Sequence, residues 1–309
     1  MHNYNKIKSK QDIFDVDWNL GTICNYSCSY CIPHLHSGEQ EFVYIEKAVK
    51  FVEKLLDQYP DKLFNFILSG GEVTLWKDLP KLLKTIKNNS LTNVQLITNG
   101  SPSPQWWKTN SIFIDSVILS YHWEYANKNR LKEICRILDE NKCNIKLTIL
   151  ALPDKLDECY KLADEFLSYI KMKIELRIIK KPNNEPIDEY TEEQLQQLRN
   201  NNVFGRVNHK SIDKRLITDT GKVLDAIVEL SQQKNSWKGW RCYIGLNCLK
   251  IDWKGDIYRA ACSCQQENKL GNINEEDYNF PNRPVICDKD FCFCVTDIRA
   301  TKERIKENR

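Results

Sequence analysis

An α/β architecture followed by a small cysteine-rich module emerges from three features of this 309-residue chain. Short apolar runs alternate with amphipathic helical patterns as far as Lys181, the alternation breaks there, and cysteines crowd both ends of the chain. Strand–helix alternation of this kind argues for βαβ units around a parallel sheet. Six such strands are too few to close an eight-stranded barrel, so the sequence predicts an open partial barrel or a doubly wound sheet. In either arrangement chemistry gathers at the carboxyl ends of the strands.

The candidate strands are Phe14–Leu20, Phe64–Ser69, Val94–Thr98, Asp115–Ser120, Ile145–Leu150 and Ile174–Ile179. Between them, Phe42, Ile45, Val49, Val52 and Leu56 recur at helical spacing and predict a helix over Glu41–Gln58. Leu79, Leu82, Leu83 and Ile86 mark a second helix, and Leu131, Ile134, Cys135 and Leu138 a third. Leu156, Cys159, Ala163, Phe166 and Ile170 mark a fourth. After Lys181 come a turn or linker at Pro182–Pro186, a polar helix at Thr191–Asn200 and a hairpin of Arg215–Ile217 with Lys222–Leu224. The expected division is therefore a barrel over 1–185, a linking segment over 186–236 and a separate small module over 237–309.

Forty-five basic and 42 acidic residues leave a net charge of +3, which suggests neither a nucleic-acid partner nor a polybasic membrane anchor. No run approaches a membrane span and the first ten residues are polar, so the chain is expected to be soluble and cytoplasmic. In that compartment its 13 cysteines point to metal or redox chemistry rather than disulfides. Cys135 and Cys159 lie on helical apolar stripes, and Cys143 shares strand parity with Ile145, Leu147 and Ile149. All three read as core residues.

Cys24, Cys28 and Cys31 place three soft thiolates in the loop after the first strand. Three ligands leave one iron of a cubane cluster open, although a zinc site completed by His34 or His36 has the same donors. This CxxxCxxC run, with aromatic Tyr30 before its last cysteine, resembles the signature of the radical S-adenosylmethionine (SAM) superfamily. A second match is Gly70-Gly71-Glu72 at the end of the second strand, which is similar to that family's GGE motif. The resemblance implies a partial (β/α)6 barrel, a [4Fe–4S] cluster on Cys24, Cys28 and Cys31, and SAM chelating its open iron. It further implies SAM contacts from Tyr30, Gly70, Gly71 and Glu72, the last facing the methionine ammonium. Thr98, Asn99, Ser120, Arg130 and Ala151 occupy positions that line the SAM pocket in the family.

Seven cysteines fall in the 53 residues from Cys242 to Cys294. Cys242, a hairpin centred on Gly255, Cys262 and the run Leu270-Gly271-Asn272-Ile273 together resemble the SPASM/Twitch extension of radical SAM enzymes. The spacing from Gly255 to Cys262 exceeds that pattern, and Cys287, Cys292 and Cys294 lack the full two-cluster spacing. The resemblance therefore implies one auxiliary [4Fe–4S] cluster rather than two, with ligands drawn from Cys242, Cys262, Cys287, Cys292 and Cys294. One of these five is surplus. Cys248 and Cys264 are the expected spares, and a structural zinc module is the alternative.

The implied activity is that of an oxidoreductase. SAM is cleaved to a 5′-deoxyadenosyl radical, which takes a substrate hydrogen atom, with electrons from a donor such as flavodoxin or ferredoxin. The leading expectation is oxidation or cross-linking of a peptide or small natural product. Alternatives are dehydrogenation or epimerisation of a sugar- or aminocyclitol-like molecule, with Cys248 or Cys264 returning the hydrogen atom, and a non-catalytic iron–sulfur or zinc-binding regulator. His122 and Glu124, after Ser120, are further candidates for substrate contact.

Overall fold

The computed structural model describes residues 3–33, 36–38, 42–181, 185–206, 209, 212–232, 235–265 and 268–305. Its elements begin with β1 (Lys6–Ser9), β2 (Ile13–Asn19), α1 (Ile45–Gln58), β3 (Leu63–Ser69), α2 (Leu79–Lys87), β4 (Thr92–Thr98) and α3 (Pro104–Asn110). There follow β5 (Ser116–Tyr121), α4 (Lys128–Glu140), β6 (Asn144–Leu150), α5 (Leu156–Tyr169), β7 (Lys173–Arg177), α6 (Glu192–Asn200) and β8 (Val203–Gly205). Next are β9 (Arg215–Thr218), β10 (Val223–Asp225), α7 (Ala226–Ser231), β11 (Arg241–Cys242), β12 (Cys248–Ile251) and β13 (Asp256–Tyr258). The last are β14 (Lys269–Asn272), β15 (Asp277–Tyr278), β16 (Val285–Ile286), α8 (Val295–Arg299) and β17 (Lys302–Glu303).

Strands β2 to β7 are consecutive parallel neighbours, each step crossed by one helix. β12 extends the β2 edge in parallel register, with Cys248 opposite Asp15 and Ile251 opposite Trp18. β8 borders β7 on the other side, antiparallel. The order β15-β14-β13-β12-β2-β3-β4-β5-β6-β7-β8 does not return on itself, so the barrel is partial and open. Among the described residues no helix is long and apolar enough to cross a membrane.

Side-chain alternation along each strand separates two environments. Phe14, Val16 and Trp18 of β2 are buried against α1, where Trp18 meets Phe51 edge-on at 5.4 Å. Asp15, Asp17 and Asn19 point to the opposite, inner face. There Asp17 pairs with Lys250 at 2.9 Å, and Glu175 joins Lys146 to Arg177. The inner face of the barrel is therefore charged, whereas its outer face is oil.

Several expected boundaries move. α1 starts at Ile45, after the extended Tyr44; Glu41 lies outside the described residues, as do residues 182–184 of the expected linker. α3 escaped the periodicity argument because it is two turns long. It is nucleated locally, with Ser103 accepting from the Trp106 N–H at 3.3 Å and Pro104 in its first turn. β1 was also missed, since Lys-Ile-Lys-Ser buries one isoleucine and little else that a pattern could reveal.

The three-part division does not describe how the strands are shared. Leu249, Ile251, Ile257, Ile273 and Tyr278, expected in a separate module, belong to the barrel's own core. Conversely β1, expected in the barrel, lies inside a second, antiparallel sheet of order β10-β9-β1-β17-β11-β16. Leu195 and Leu198 of the expected linking segment also enter the main core. Apolar faces on the tail strands were left without a partner in the tail itself, and the barrel supplies one.

A buried polar chain ties the two sheets together. Asn93 donates to Asn65 at 2.7 Å, Asn65 donates to Asp15 at 2.8 Å, and Arg299 of α8 pairs with the same Asp15 oxygen. Both charged side chains are at most 2% exposed. Burial pushes the Asp15 carboxyl up even against the Arg299 charge. Breaking such a pair strands a buried charge, so Asp15→Asn is expected to lower stability by about 3 kcal/mol, read as a lower urea midpoint. Replacing both partners, Asp15→Leu with Arg299→Met, is expected to recover most of that loss. Equal midpoints for parent and Asp15→Asn would remove the pair from this role.

Candidate functional site

The loop after β2 is clamped onto the end of β3 by backbone bonds. Gly71 N–H donates to the Gly21 carbonyl at 2.9 Å and Glu72 N–H to the Ile23 carbonyl at 2.7 Å. This approach needs both glycines: a Cβ on Gly71 would lie 2.3 Å from the Ile23 oxygen, and one on Gly70 2.6 Å from the Gly21 oxygen. Gly70 also sits at φ +149°, which other residues rarely adopt. On its far side the loop is held by Glu124, which accepts from the Ser29 N–H at 3.0 Å and from the Ser29 hydroxyl. Tyr125 adds a hydrogen bond to the Ser27 carbonyl at 3.1 Å.

Held in this way, Cys24, Cys28 and Cys31 face one cavity of about 150 Å³ beyond the carboxyl ends of β3, β4 and β5. Gly70, Gly71, Thr98, Asn99, Ser120 and His122 line the same cavity, with His36 at its rim. His34 lies outside the described residues. Burial raises the pKa of all three thiols, that of Cys28 to about 12. As thiolates they need a compensating cation, and an iron–sulfur cluster, which binds the deprotonated form, supplies it. The donor set therefore fits the cluster that the sequence resemblance implies.

Of two aromatic pairs beside this cavity, His122 and Tyr26 line it, and Tyr30 and Tyr125 back them. Tyr30 stacks on His122 with ring centroids 5.9 Å apart and its hydroxyl 3.2 Å from Nδ1, while Tyr26 stacks on Tyr125 at 4.9 Å. Burial lowers the His122 pKa to about 4, against the opposing charge of Glu124. An adjoining cavity of about 200 Å³ is lined by Asn25, Tyr26, Asn99, Tyr125 and Arg130. Arg130 donates to the Ser101 carbonyl, and Asn99 Nδ2 to Asn25 at 3.0 Å.

Three of the expected contact residues are engaged by the chain itself. The Glu72 carboxylate is fully buried and already engaged, accepting from Thr98 Oγ1 and Asn99 N–H at 2.6 Å each and from Thr74. These bonds organise the end of β4. Ala151 is buried, its N–H bonded to the Arg177 carbonyl and its own carbonyl to the Tyr190 hydroxyl, so it does not line the cavity. Glu124 belongs to the loop clamp instead of facing a substrate. Tyr190, 39 residues away in sequence, carried no signal for its bond to Ala151.

The second cysteine group forms around β11. Cys242 lies between β16 and β17, opposite Val285 and Lys302, and Cys287 directly follows β16. Cys242, Cys248, Cys262 and Cys287 share one apolar cluster. Cys292 lies within electrostatic reach of Cys242, Cys262 and Cys287, and its carbonyl accepts from Asn235. Cys262 rides on a short 3-10 turn whose N–H groups donate to Asp297, at 2.9 Å from Cys262 itself. Cys294 stands apart, its sulfur 2.8 Å from the Thr296 hydroxyl. Cys264 is exposed beside Lys250, Asp252 and Asp17, and Cys248 is closed off against the Arg259 carbonyl. Cys135, Cys143 and Cys159 are buried in the main core, as their spacing predicts. Among the described residues no three His, Cys, Asp or Glu side chains surround a point that would hold a single metal ion.

Two outcomes follow for the first loop. Gly71→Ala is expected to cost about 1–3 kcal/mol by overpacking and to reduce iron bound by the first cysteine group. A parental urea midpoint with parental iron content would contradict the clamp. In the metal-free chain the His122 ring is expected to titrate near pH 4, read from its NMR ring-proton shifts. Because the unfolded ring binds its proton first, this contribution to stability is complete above about pH 6.5 and is lost as pH falls toward 4.

Residues 18–109 match the Radical SAM superfamily. The chain is 29% identical to a S-adenosylmethionine-dependent nucleotide dehydratase of Lacinutrix mariniflava over 126 residues, 39% of this chain and 26% of that protein. It is 30% identical to a probable GTP 3′,8-cyclase of Sulfurisphaera tokodaii over 40% of this chain and 38% of that protein. It is 26% identical to the GTP 3′,8-cyclase of Actinobacillus pleuropneumoniae serotype 3, over 61% of this chain and 58% of that one. The matches thus span from about a quarter to three-fifths of these curated relatives. Native anSMEcpe, solved with bound AdoMet, shares the fold with a TM-score of 0.54 and 16% identity, covering 86% of this chain and 79% of that one. The superfamily match begins on β2 and takes in both the cysteine loop and its glycine clamp, so residues 18–109 carry the radical SAM domain.

Proposed function

We propose that the chain is a radical SAM oxidoreductase that oxidises or cross-links a small polar molecule or short peptide, assisted by an auxiliary [4Fe–4S] cluster. The observation that carries this reading is the single cavity that Cys24, Cys28 and Cys31 share with Gly70, Gly71 and Ser120. When bound, the reduced cluster and SAM supply the 5′-deoxyadenosyl radical that abstracts a substrate hydrogen atom. Cys24, Cys28 and Cys31 would hold that cluster, and their number leaves one iron for SAM.

The chain's own residues do the remaining work. The glycine pair lets the end of β3 pack directly on the Gly21–Ile23 backbone, which holds the cysteine loop at the cavity. Thr98 and Asn99 are held by Glu72, which turns the Asn99 amide toward Asn25 at the cavity wall. Tyr30 and His122 present stacked rings, and His122 remains neutral near pH 7, so that wall excludes water without adding charge. Arg130 is the cation nearest the second cavity and suits a carboxylate.

Cys242, Cys262, Cys287 and Cys292 would hold the auxiliary cluster, with Cys294 the surplus ligand because its thiol is committed to Thr296. The charged inner face, with Asp17–Lys250 and Lys146–Glu175–Arg177, favours a polar substrate over an apolar one. The relatives' names, a nucleotide dehydratase and GTP cyclases, support the same choice. A flavodoxin- or ferredoxin-like protein would deliver the electrons.

Epimerisation is the second reading, favoured by one observation: Cys264 is an exposed thiol beside the inward Asp17–Lys250 pair. Deuterium uptake from solvent into the product carbon would establish it, and unchanged product isotope content in D2O removes it.

Anaerobic protein reduced with dithionite is expected to release 5′-deoxyadenosine from SAM, and Cys28→Ala to abolish that release. A reconstituted parent protein yielding none would favour a non-catalytic iron–sulfur or zinc-binding protein.

A further inference from the structure

Lys302 is fully buried although it carries an ammonium group. Among the described residues no carboxylate forms an ion pair with it. Its Nζ donates to the carbonyls of Asp297 at 2.6 Å and Ile298 at 2.8 Å, and lies 4.8 Å from the centre of the Trp237 ring. Carbonyl dipoles and an aromatic face stabilise a cation, but they do not neutralise it. With Asp297 acting on it but forming no ion pair, the buried charge is a cost to the fold that an adjacent anion offsets.

The backbone register brings the cysteines to that charge. Lys302 of β17 stands directly opposite Cys242 of β11, and across an antiparallel pair such side chains lie within a few ångströms of one another. The electrostatic reach of the ammonium also takes in Cys292 and Cys248. Asp297, 1% exposed, receives the N–H groups of Ala261 and Cys262 on its carboxylate while its own carbonyl holds the Lys302 ammonium, so it brings the opposing charge to the Cys262 side. Four thiolates around a [4Fe–4S] core leave a net anion in this pocket, and one buried lysine meets it from one side.

We infer that Lys302 is the built-in counter-cation of the cluster held by Cys242, Cys262, Cys287 and Cys292, and that with Asp297 opposing it from the Cys262 side it sets how readily that cluster accepts an electron. This rests on the auxiliary-cluster reading above. Reduction adds one negative charge to the site, so a fixed cation stabilises the reduced form and a fixed anion disfavours it. Lys302 is on this account a positioning residue for charge and makes no bond to substrate.

The test uses the full chain with Cys24, Cys28 and Cys31 all changed to Ala, so that any iron bound belongs to the tail. In this background the protein is expected to bind about four irons per chain. The ratio of reduced to oxidised cluster is then read by electron paramagnetic resonance at fixed applied potentials. Lys302→Gln keeps a donor for the two carbonyls and removes the charge. It is expected to lower that ratio about tenfold, equivalent to about 59 mV for one electron, while Lys302→Arg restores most of it. Asp297→Asn is expected to raise the ratio. Four irons with the same ratio in Lys302→Gln and the parent overturn the inference. If Lys302→Gln does not fold, Asp297→Asn decides: a raised ratio supports the inference and an unchanged ratio overturns it. If the background variant binds no iron, the auxiliary-cluster reading itself fails, and the Lys302 inference falls with it.

Discussion

The carboxylate of Glu72 is the interaction on which the site is built. Burying an anion costs several kcal/mol unless donors replace the water it loses. Here Thr74, Thr98 and Asn99 provide them, and in doing so they bind the turn after β3 to the end of β4. With that turn immobile, Gly70 and Gly71 can lie flat against Gly21–Ile23, and the cysteine loop acquires a rigid floor. Burial raises the Glu72 pKa against the pull of these donors. The motif's acid is therefore structural first, and the backbone it organises is what meets a ligand.

A second constraint comes from the meeting of the two chain ends. β1 and β17 are antiparallel neighbours, and Arg299, just before β17, reaches into the barrel to Asp15. The same short stretch carries Asp297 under Cys262 and Lys302 beside Cys242. Residues 295–303 thus link the barrel, the second sheet and the tail cysteines in a single segment. Asp297 and Arg299 share a helix of five residues and Lys302 begins the strand just after it, so moving any one of these contacts would disturb the others.

Much of this was legible in the chain itself. The helices α2, α4 and α5 and the strands β2 to β7 follow from spacing, because each buries one face against a continuous core. Where that reason is absent, the reading fails. β1 buries a single isoleucine, and α3 owes its start to Ser103 and Pro104 in place of a periodic stripe. In the tail, Leu249, Ile251 and Ile257 reveal an apolar face without revealing what it packs against, and it joins the barrel core.

At the site, residue type and short-range spacing were enough to assemble the three thiols, the glycine pair and the family to which they belong. Each of the two motifs is legible within a few residues of chain, and the parallel pairing of β2 with β3 brings them together. Which groups remain free to act was settled across long separations. Glu72 is taken by Asn99, Glu124 by Ser29 and Ala151 by Tyr190, while Lys302 is placed beside Cys242 by strand register. Hydrogen bonds and charges of that kind depend on distance in space, and a linear pattern carries no measure of it.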